Sequence, residues 1–493
     1  MKTKFLLLIL LLPVFVFGQI TQIGNNINGE AAGDLSGISI CLSADGSIVA
    51  IGSADNDGVN GTTSGHVRVY QYTGGTWTQI GSDIDGEAQD DISGYYVSLS
   101  ADGNILAIGA PWNDGNGVDS GHVRVYQNTG GTWTQIGDDI DGEAAFDNSG
   151  ESVSLSADGS ILAIGAINNV GVNGFDSGHV RVYQNTGGTW TQIGDDIDGE
   201  AEGDLFGVSV ALSNDGSIVA IGGWLNDGNG IDSGHVRVFE NMGGTWTQLG
   251  ADIDGEAADD RAAYISLSAD GNTVAIGAPL NDGVNGANSG HVRVYQYSGG
   301  NWSQIGEDID GEGDDDRFGL RTTISDDGSI IASGGVLNDG NGFQSGHVRI
   351  FKNVGGTWIQ RGADIDGETA GDRFGARESL SADGSIVAGS ARSNDDNGTD
   401  SGHVRVFDLS SVLGIDDNSL LDFSVYPSPS SGILNVQSNT AIIQIEIYNL
   451  LGQLVKSNSN RSTIDISSVD QGIYFIKVMD ENGNFGSQKV VKK

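Results

Sequence analysis

Three things are scarce in this sequence. One cysteine, Cys41, stands in 493 residues, so no internal disulfide can form and no cysteine-based zinc site can be built. Only 5 prolines accompany 79 glycines. Glycine at roughly twice its usual share, without a G-X-Y period, excludes collagen and points to many tight turns between short strands. Positive charge is the third: 23 Lys+Arg face 66 Asp+Glu, a formal net charge of −43. Such a chain repels phosphate backbones and anionic bilayers, which sets nucleic acid and anionic membrane surfaces aside as partners.

The one long apolar run is Phe5 to Phe17, behind Lys2 and Lys4 and ahead of Gly18. It is too short and wrongly flanked for a stable membrane span, and residues 1–18 read as a secretory signal peptide. The mature chain then has no membrane span. No cysteine follows directly, so a lipid anchor at that point is not expected. Outside the cytoplasm and without disulfides, stability must come from packing.

Histidine is as regular as it is rare. All 7 lie in the motif S-G-H-V-R-V/I-Y/F, at His66, His122, His179, His235, His291, His347 and His403. A period in this range signals a solenoid or a propeller. The unit of His179 shows four strands, 150–159 (a), 160–166 (b), 178–184 (c) and 189–194 (d), with Asp-Gly and Gly-Gly as hairpin signals. Four antiparallel strands repeated seven times make a seven-bladed β-propeller over 19–408, an all-β fold. Only six G-G-T/N-W segments follow the seven c strands; the missing outer strand is Ile20–Gly24, directly after the signal. This splice removes the open edges of a linear stack.

Near residue 409 the repeats stop. A polar linker (409–420) leads to a less acidic segment, 421–493, whose alternating apolar positions read as a small β-sandwich. Tyr426-Pro427 with Pro429 and Gly432, Tyr448-Asn449 with Gly452-Gln453, Gly472-Ile473-Tyr474 and a closing Lys-rich strand resemble the C-terminal sorting domain of Bacteroidetes type IX secretion cargo. The resemblance implies the type IX machinery as partner of 421–493, and release from or attachment to the outer cell surface.

The repeats themselves resemble FG-GAP-type units, the blades of the integrin α propeller. Phe206-Gly207, Phe318-Gly319 and Phe374-Gly375 carry one element, Gly109-Ala110-Pro111 and Gly277-Ala278-Pro279 the other. The calcium hairpin of integrin blades is absent, since the a–b turn is only S-A-D-G, and calcium does not carry over to that position.

Loops b–c and d–a share one face and are long and acidic, so any ligand should meet this face. In the d–a loop D-I-D-G-E-x-x-x-D recurs: Asp139, Asp141, Glu143 and Asp147, then Asp196, Asp198, Glu200 and Asp204; the first unit has Asn26 and Asn28 but keeps Glu30 and Asp34. Alternate oxygen ligands in a Gly-containing loop suit calcium. Asx-type turn capping and pairing with the recurrent arginines (Arg68 to Arg405) is the second reading, and a feature repeated in every unit fits a scaffold role better. No other cofactor is implied. The histidines, too far apart to share one ion, are expected to donate a hydrogen bond each within their own blade. Cys41 reads as a small-residue substitution in a strand-a column of Ser98, Ser154, Ala211, Ser266, Thr323 and Ser379. Trp112 and Trp224 lie outside the repeat pattern, in b–c loops, where stacking on sugar rings and packing into the core are both open readings.

No G-x-S-x-G, H-E-x-x-H or phosphate-cradling loop occurs. Carboxylates recur in every unit, whereas an active site needs one asymmetric cluster. The expectation is a secreted or surface-attached binding or adhesion protein, not an enzyme, presenting its acidic loop face to a glycan or protein. The alternative is a propeller glycosidase or polysaccharide lyase.

Overall fold

The computed structural model describes residues 19–413, 423–438, 440–449, 454–459, 462–480 and 485–493. The signal-peptide reading of 1–18, most of the linker and Gly452-Gln453 fall outside these residues. The chain divides into two compact units, Met1–Leu413 and Gly414–Lys493. No described helix is long and apolar enough to cross a membrane.

The first unit is built of seven sheets of one pattern. In the repeat of His179, strand a is Ser149–Leu155, b Ile161–Ala166, c His179–Thr186 and d Thr189–Gln192, each antiparallel to the next. Gly187 and Gly188 hold φ of 62° and 90° in the c–d hairpin, a conformation that a Cβ would strain. A fifth, two-residue strand, Ile197–Asp198, pairs with the start of strand c at His179 and Val180. The acidic motif that reads as pure loop is therefore partly strand: Ile197 is buried and its neighbour is tied to the histidine. Strand b is buried along its whole length, matching its near-continuous apolar run.

Successive sheets pack through their a and b strands around a ring. The backbone N–H of Ala44 donates to Ala101 O, and the same bond recurs between neighbouring a–b turns until Ala382 N–H donates to Ala44 O, at 2.8–2.9 Å. Thr21–Gln22 pairs with Phe407 and Asp408 at the end of the last c strand, so the chain start supplies that sheet's outer strand. Trp77 Nε1–H donates to Ile23 O (2.9 Å), as Trp133, Trp190, Trp246, Trp302 and Trp358 each do to the preceding unit. Leu409 is fully buried, and Val412 and Leu413 of the helix Ser410–Leu413 pack with Ile20 on this closing sheet. The residues at the head of the polar linker thus belong to the first unit's core, because they carry its last apolar side chains.

The second unit consists of a three-stranded sheet (Phe423–Tyr426, Ile433–Ser438, Thr463–Asp465) and a four-stranded one (Leu454–Ser459, Ile442–Tyr448, Gly472–Asp480, Phe485–Lys492). Their inner faces share a core of Val425, Leu434, Ile445, Ile447, Ile464 and Ile476, the alternation expected of a sandwich.

Candidate functional site

The recurrent motifs meet at the junctions between successive units. Asp147 Oδ2 accepts the backbone N–H groups of Glu143 and Ala144 and the Asn169 side chain, at 2.9–3.1 Å, and is buried. Asp204 takes the same part for Ala201 and Asn226. Glu143 faces forward onto Arg181 (3.8 Å), and Glu200 onto Arg237 (3.7 Å). Asp139 and Asp196 face their own unit's histidines, His122 (3.9 Å) and His179 (3.7 Å). Asp141 and Asp198 offer backbone carbonyls to Arg181 (2.7 Å) and Arg237 (3.1 Å), and burial pushes both carboxyls up. The four carboxylates of one loop are thus not brought to one point; Glu143 and Asp196 meet at one junction, Glu200 and Asp252 at the next. Asp138, Asp139 and Asp141 also line an open groove of about 590 Å³ beside Tyr183 and Trp190.

The histidines depart from expectation. Nε2 of all seven is buried with no protein partner, and so is Nδ1 of His235 and His347. His403 keeps a within-blade hydrogen-bond contact, Nδ1 to Asp396 Oδ2 at 3.4 Å. Nε2 is packed against the end of strand b, so that a Cβ on Gly223 or Gly335 would meet it at 2.7 or 2.6 Å. Nδ1 of His122, His291, His347 and His403 faces carboxylates of two successive units, 3.4–3.9 Å away, and Nδ1 of His66 and His179 faces one, at 4.0 and 3.7 Å. Burial pushes six of the rings down to about 4, which keeps them neutral at physiological pH.

Cys41 behaves as its column does. Its Sγ accepts the Leu99 N–H (3.4 Å), just as Ser98 Oγ accepts that of Leu155 (3.0 Å). Ser154, Ser266 and Ser379 accept the corresponding N–H of the next a strand in the same way, while Ala211 has no acceptor to offer.

At the centre of the same face the repetition breaks down. A pocket of about 400 Å³ is lined by five arginines, Arg261, Arg317, Arg321, Arg377 and Arg392, with Tyr95, Trp224 and Tyr264 and no carboxylate. Strand a supplies Arg321 and Arg377, the d–a loops Arg261 and Arg317, and the b–c loops Trp224 and Arg392. Arg261 stacks on Trp224 (4.8 Å to the ring centre) and Arg321 on Tyr264 (4.2 Å), which holds each guanidinium plane fixed. Asp232 is 3.9 Å from Arg261. Burial, with the neighbouring Arg373 and Arg321, pushes Arg392 down.

Below the mouth, Arg321 and Arg377 also border a smaller cavity of about 60 Å³ with Glu378. Neither Glu378 carboxyl oxygen has a side-chain partner, and burial pushes the group up to about 8. Burial pushes Glu151, which bonds Tyr95, up to about 7. Trp224 is thus part of the mouth, with its Nε1 buried and unpartnered, whereas Trp112 is 49% exposed and lies outside it. The b–c loop tips add exposed apolar side chains, Val59, Val118, Val172, Phe175, Ile231, Val284 and Phe343.

The sequence carries a signal for this mouth. Four residues before the serine that ends each a strand, the column reads Ser39, Tyr96, Ser152, Ser209, Tyr264, Arg321, Arg377. From residue 19 to 260 every arginine belongs to the S-G-H-V-R motif and no lysine occurs. After residue 18, cations outside the motif begin at Arg261, and Arg261, Arg317, Arg321, Arg377 and Arg392 gather at the mouth, whereas Lys352 and Arg361 do not line it.

Comparison with known proteins agrees with both parts of the chain. Residues 197–239 match the FG-GAP repeat, and residues 424–493 match the secretion system C-terminal sorting domain. The chain therefore carries FG-GAP-type propeller repeats and a type IX sorting domain, which marks it as secreted and directed to the cell surface. No curated protein sequence matches it. Among solved structures, the periplasmic gluconolactonase of Pseudomonas aeruginosa is similar at 16% identity over 84% of this chain and 96% of its own, TM-score 0.47. The WD40 repeats of RRP9 are 12% identical over 79% and 100%, TM-score 0.47. Hydrazine synthase of Kuenenia stuttgartiensis is 13% identical over 74% and 94%, TM-score 0.47. Likenesses this remote say nothing of chemistry.

Proposed function

We propose that the propeller is the binding part of an exported surface protein and that its central mouth takes an acidic glycan by its carboxylate or sulfate groups. One observation carries this: five arginines and three aromatic rings surround a pocket with no carboxylate in its lining, in a chain of net charge −43. Guanidinium forks bind carboxylate and sulfate oxygens in pairs, and ring faces accept the apolar faces of sugars. The acidic exterior opposes a polyanion only at short range, since the screening length at physiological salt is about 8 Å. Residues 1–18 serve as the export signal in this reading, and 421–493 address the type IX machinery.

Calorimetric titration of the full chain with a uronate oligosaccharide, a sulfated one and a neutral one of equal length tests the proposal. The two acidic ligands should bind, and Arg321→Ala should weaken them. Equal binding of the neutral ligand would overturn it.

A polysaccharide-degrading activity is the second reading, and Glu151 and Glu378 favour it. Carboxyls near 7 and 8 hold a proton at neutral pH, as a general acid must. New reducing ends or unsaturated products from the bound glycan would decide for this reading.

A further inference from the structure

Six junctions between successive units carry the same three donors. The glutamate comes from the unit behind, the histidine and an aspartate from the unit ahead: Glu87, His122 and Asp139 at one, Glu256, His291 and Asp308 at another. In each such group one atom per residue lies within 4.8 Å of the other two. The histidine is at most 1% exposed. At His347 neither ring nitrogen has a partner, and Nδ1 stands 3.8 Å from Glu312 Oε2 and 3.7 Å from Asp364 Oδ2.

These separations are too long for hydrogen bonds. They approach the roughly 3.4 Å edge of a tetrahedron whose metal–ligand bonds are about 2.0–2.1 Å. The free oxygens are also held in place. The arginine of strand c engages Glu87 Oε1 (3.6 Å), leaving Oε2 toward His122. Gln135 donates to Asp139 Oδ1 (2.6 Å), leaving Oδ2 toward the same ring. Arg293 and Gln304 do the same for Glu256 and Asp308. Partners that fix the outer oxygen while the inner one stays open are how proteins orient metal ligands.

We propose that each of these six junctions binds one divalent cation of the zinc class, through histidine Nδ1 and one oxygen from each carboxylate. Imidazole with two carboxylates suits zinc, cobalt or nickel, while calcium would call for more oxygens and no nitrogen. The ion would join consecutive units, since its ligands come from both. The closing junction supplies an internal contrast. There Asn26 replaces the d–a loop aspartate, and Asp396 of the b–c loop stands 3.4 Å from His403 Nδ1 instead. Asn26 Nδ2 donates both to Glu368 Oε2 (2.9 Å) and to Asp396 Oδ2 (3.4 Å), the two oxygens that face the ring. An amide proton occupies the gap that a cation would fill in the other six.

The test is titration of chelator-treated full-length protein with Co²⁺, followed by Zn²⁺, with Ca²⁺ as comparison. All 7 histidines lie in the repeat motif, so any cobalt–imidazole signal arises at junctions. The expected result is a tetrahedral cobalt spectrum saturating near six equivalents, displaced by Zn²⁺, with a rise in Tm and no response to Ca²⁺. The double variant Glu256→Gln, Asp308→Asn changes half-exposed groups and leaves His291 in the core; it should lower the count by one. His291→Gln, if folded, should do the same. No cobalt signal, or one that the double variant leaves at full strength, overturns the proposal. The mouth arginines take no part, so this outcome is separate from glycan binding.

Discussion

The junction ring and the central mouth lie on one face and are built from the same strands, yet they follow opposite rules. At the junctions each arginine has a glutamate beside it and a backbone carbonyl to receive its proton, unit after unit, as with Arg124, Glu87 and Asp85. In the mouth five arginines converge with no carboxylate in the lining; Asp232 stands beside Arg261, and Glu378 lies beneath Arg321 and Arg377. Repetition marks what the ring needs to close, and the break in repetition marks what the ring holds.

The largest effect should come from breaking the ring itself. Removing residues 19–24 strips the closing sheet of its outer strand, the Trp77–Ile23 bond and the packing of Ile20 and Ile23. Loss of several kcal/mol of burial and hydrogen bonding should lower Tm by roughly 5–10 °C in a calorimetric scan. An unchanged Tm would show that closure does not depend on this strand.

Next comes the mouth. Arg321→Ala or Arg377→Ala should weaken an acidic glycan about 10–100-fold, the cost of one charged hydrogen-bonding group at roughly 1.4–2.8 kcal/mol. Thermal stability should change far less than with the strand deletion. If Arg124→Ala at a junction reduced glycan binding as much, the two regions would not be separate in function.

Glu378 sharpens the contrast through pH. Its folded-state value, about 8, lies above the ordinary 4.5, so the folded state keeps a proton that the unfolded state releases. Stability therefore falls as pH rises from about 4.5 to about 8, and this contribution levels off beyond. Glu378→Gln should match the wild type near pH 4 and exceed it in Tm at pH 9. Glycan affinity of the wild type should drop above pH 8, where a new carboxylate faces Arg321 and Arg377, and the variant should not show this drop.

The smallest effect belongs to Cys41→Ser. Serine fills this position in four other units and accepts the same N–H, so stability should stay within about 0.5 kcal/mol by urea unfolding.

Much of this fold is legible in the sequence because repetition multiplies weak signals. One Gly-Gly pair is a poor hairpin signal, but the same pair at a fixed distance from each His-Val-Arg places strands c and d in unit after unit. The missing seventh Trp segment points to the chain start as the closing strand, and Thr21 and Gln22 pair there. The histidine environment was hidden, because its partners come from two units and only the ring brings them together. The mouth was hidden for the opposite reason. Tyr96, Tyr264, Arg321 and Arg377 are single departures from a column of serines, and attention to what recurs passes over them. Leu409, Val412 and Leu413 read as linker because their apolar side chains are surrounded by polar ones in sequence, whereas in space they meet Ile20.

The most direct measurement is a crystal structure of the full chain with a uronate oligosaccharide. The account predicts an acidic group of the sugar within hydrogen-bond distance of Arg321 or Arg377, with a sugar ring against Trp224 or Tyr264. Ligand density in the outer grooves beside Trp133 and Trp190, with an empty mouth, would contradict it.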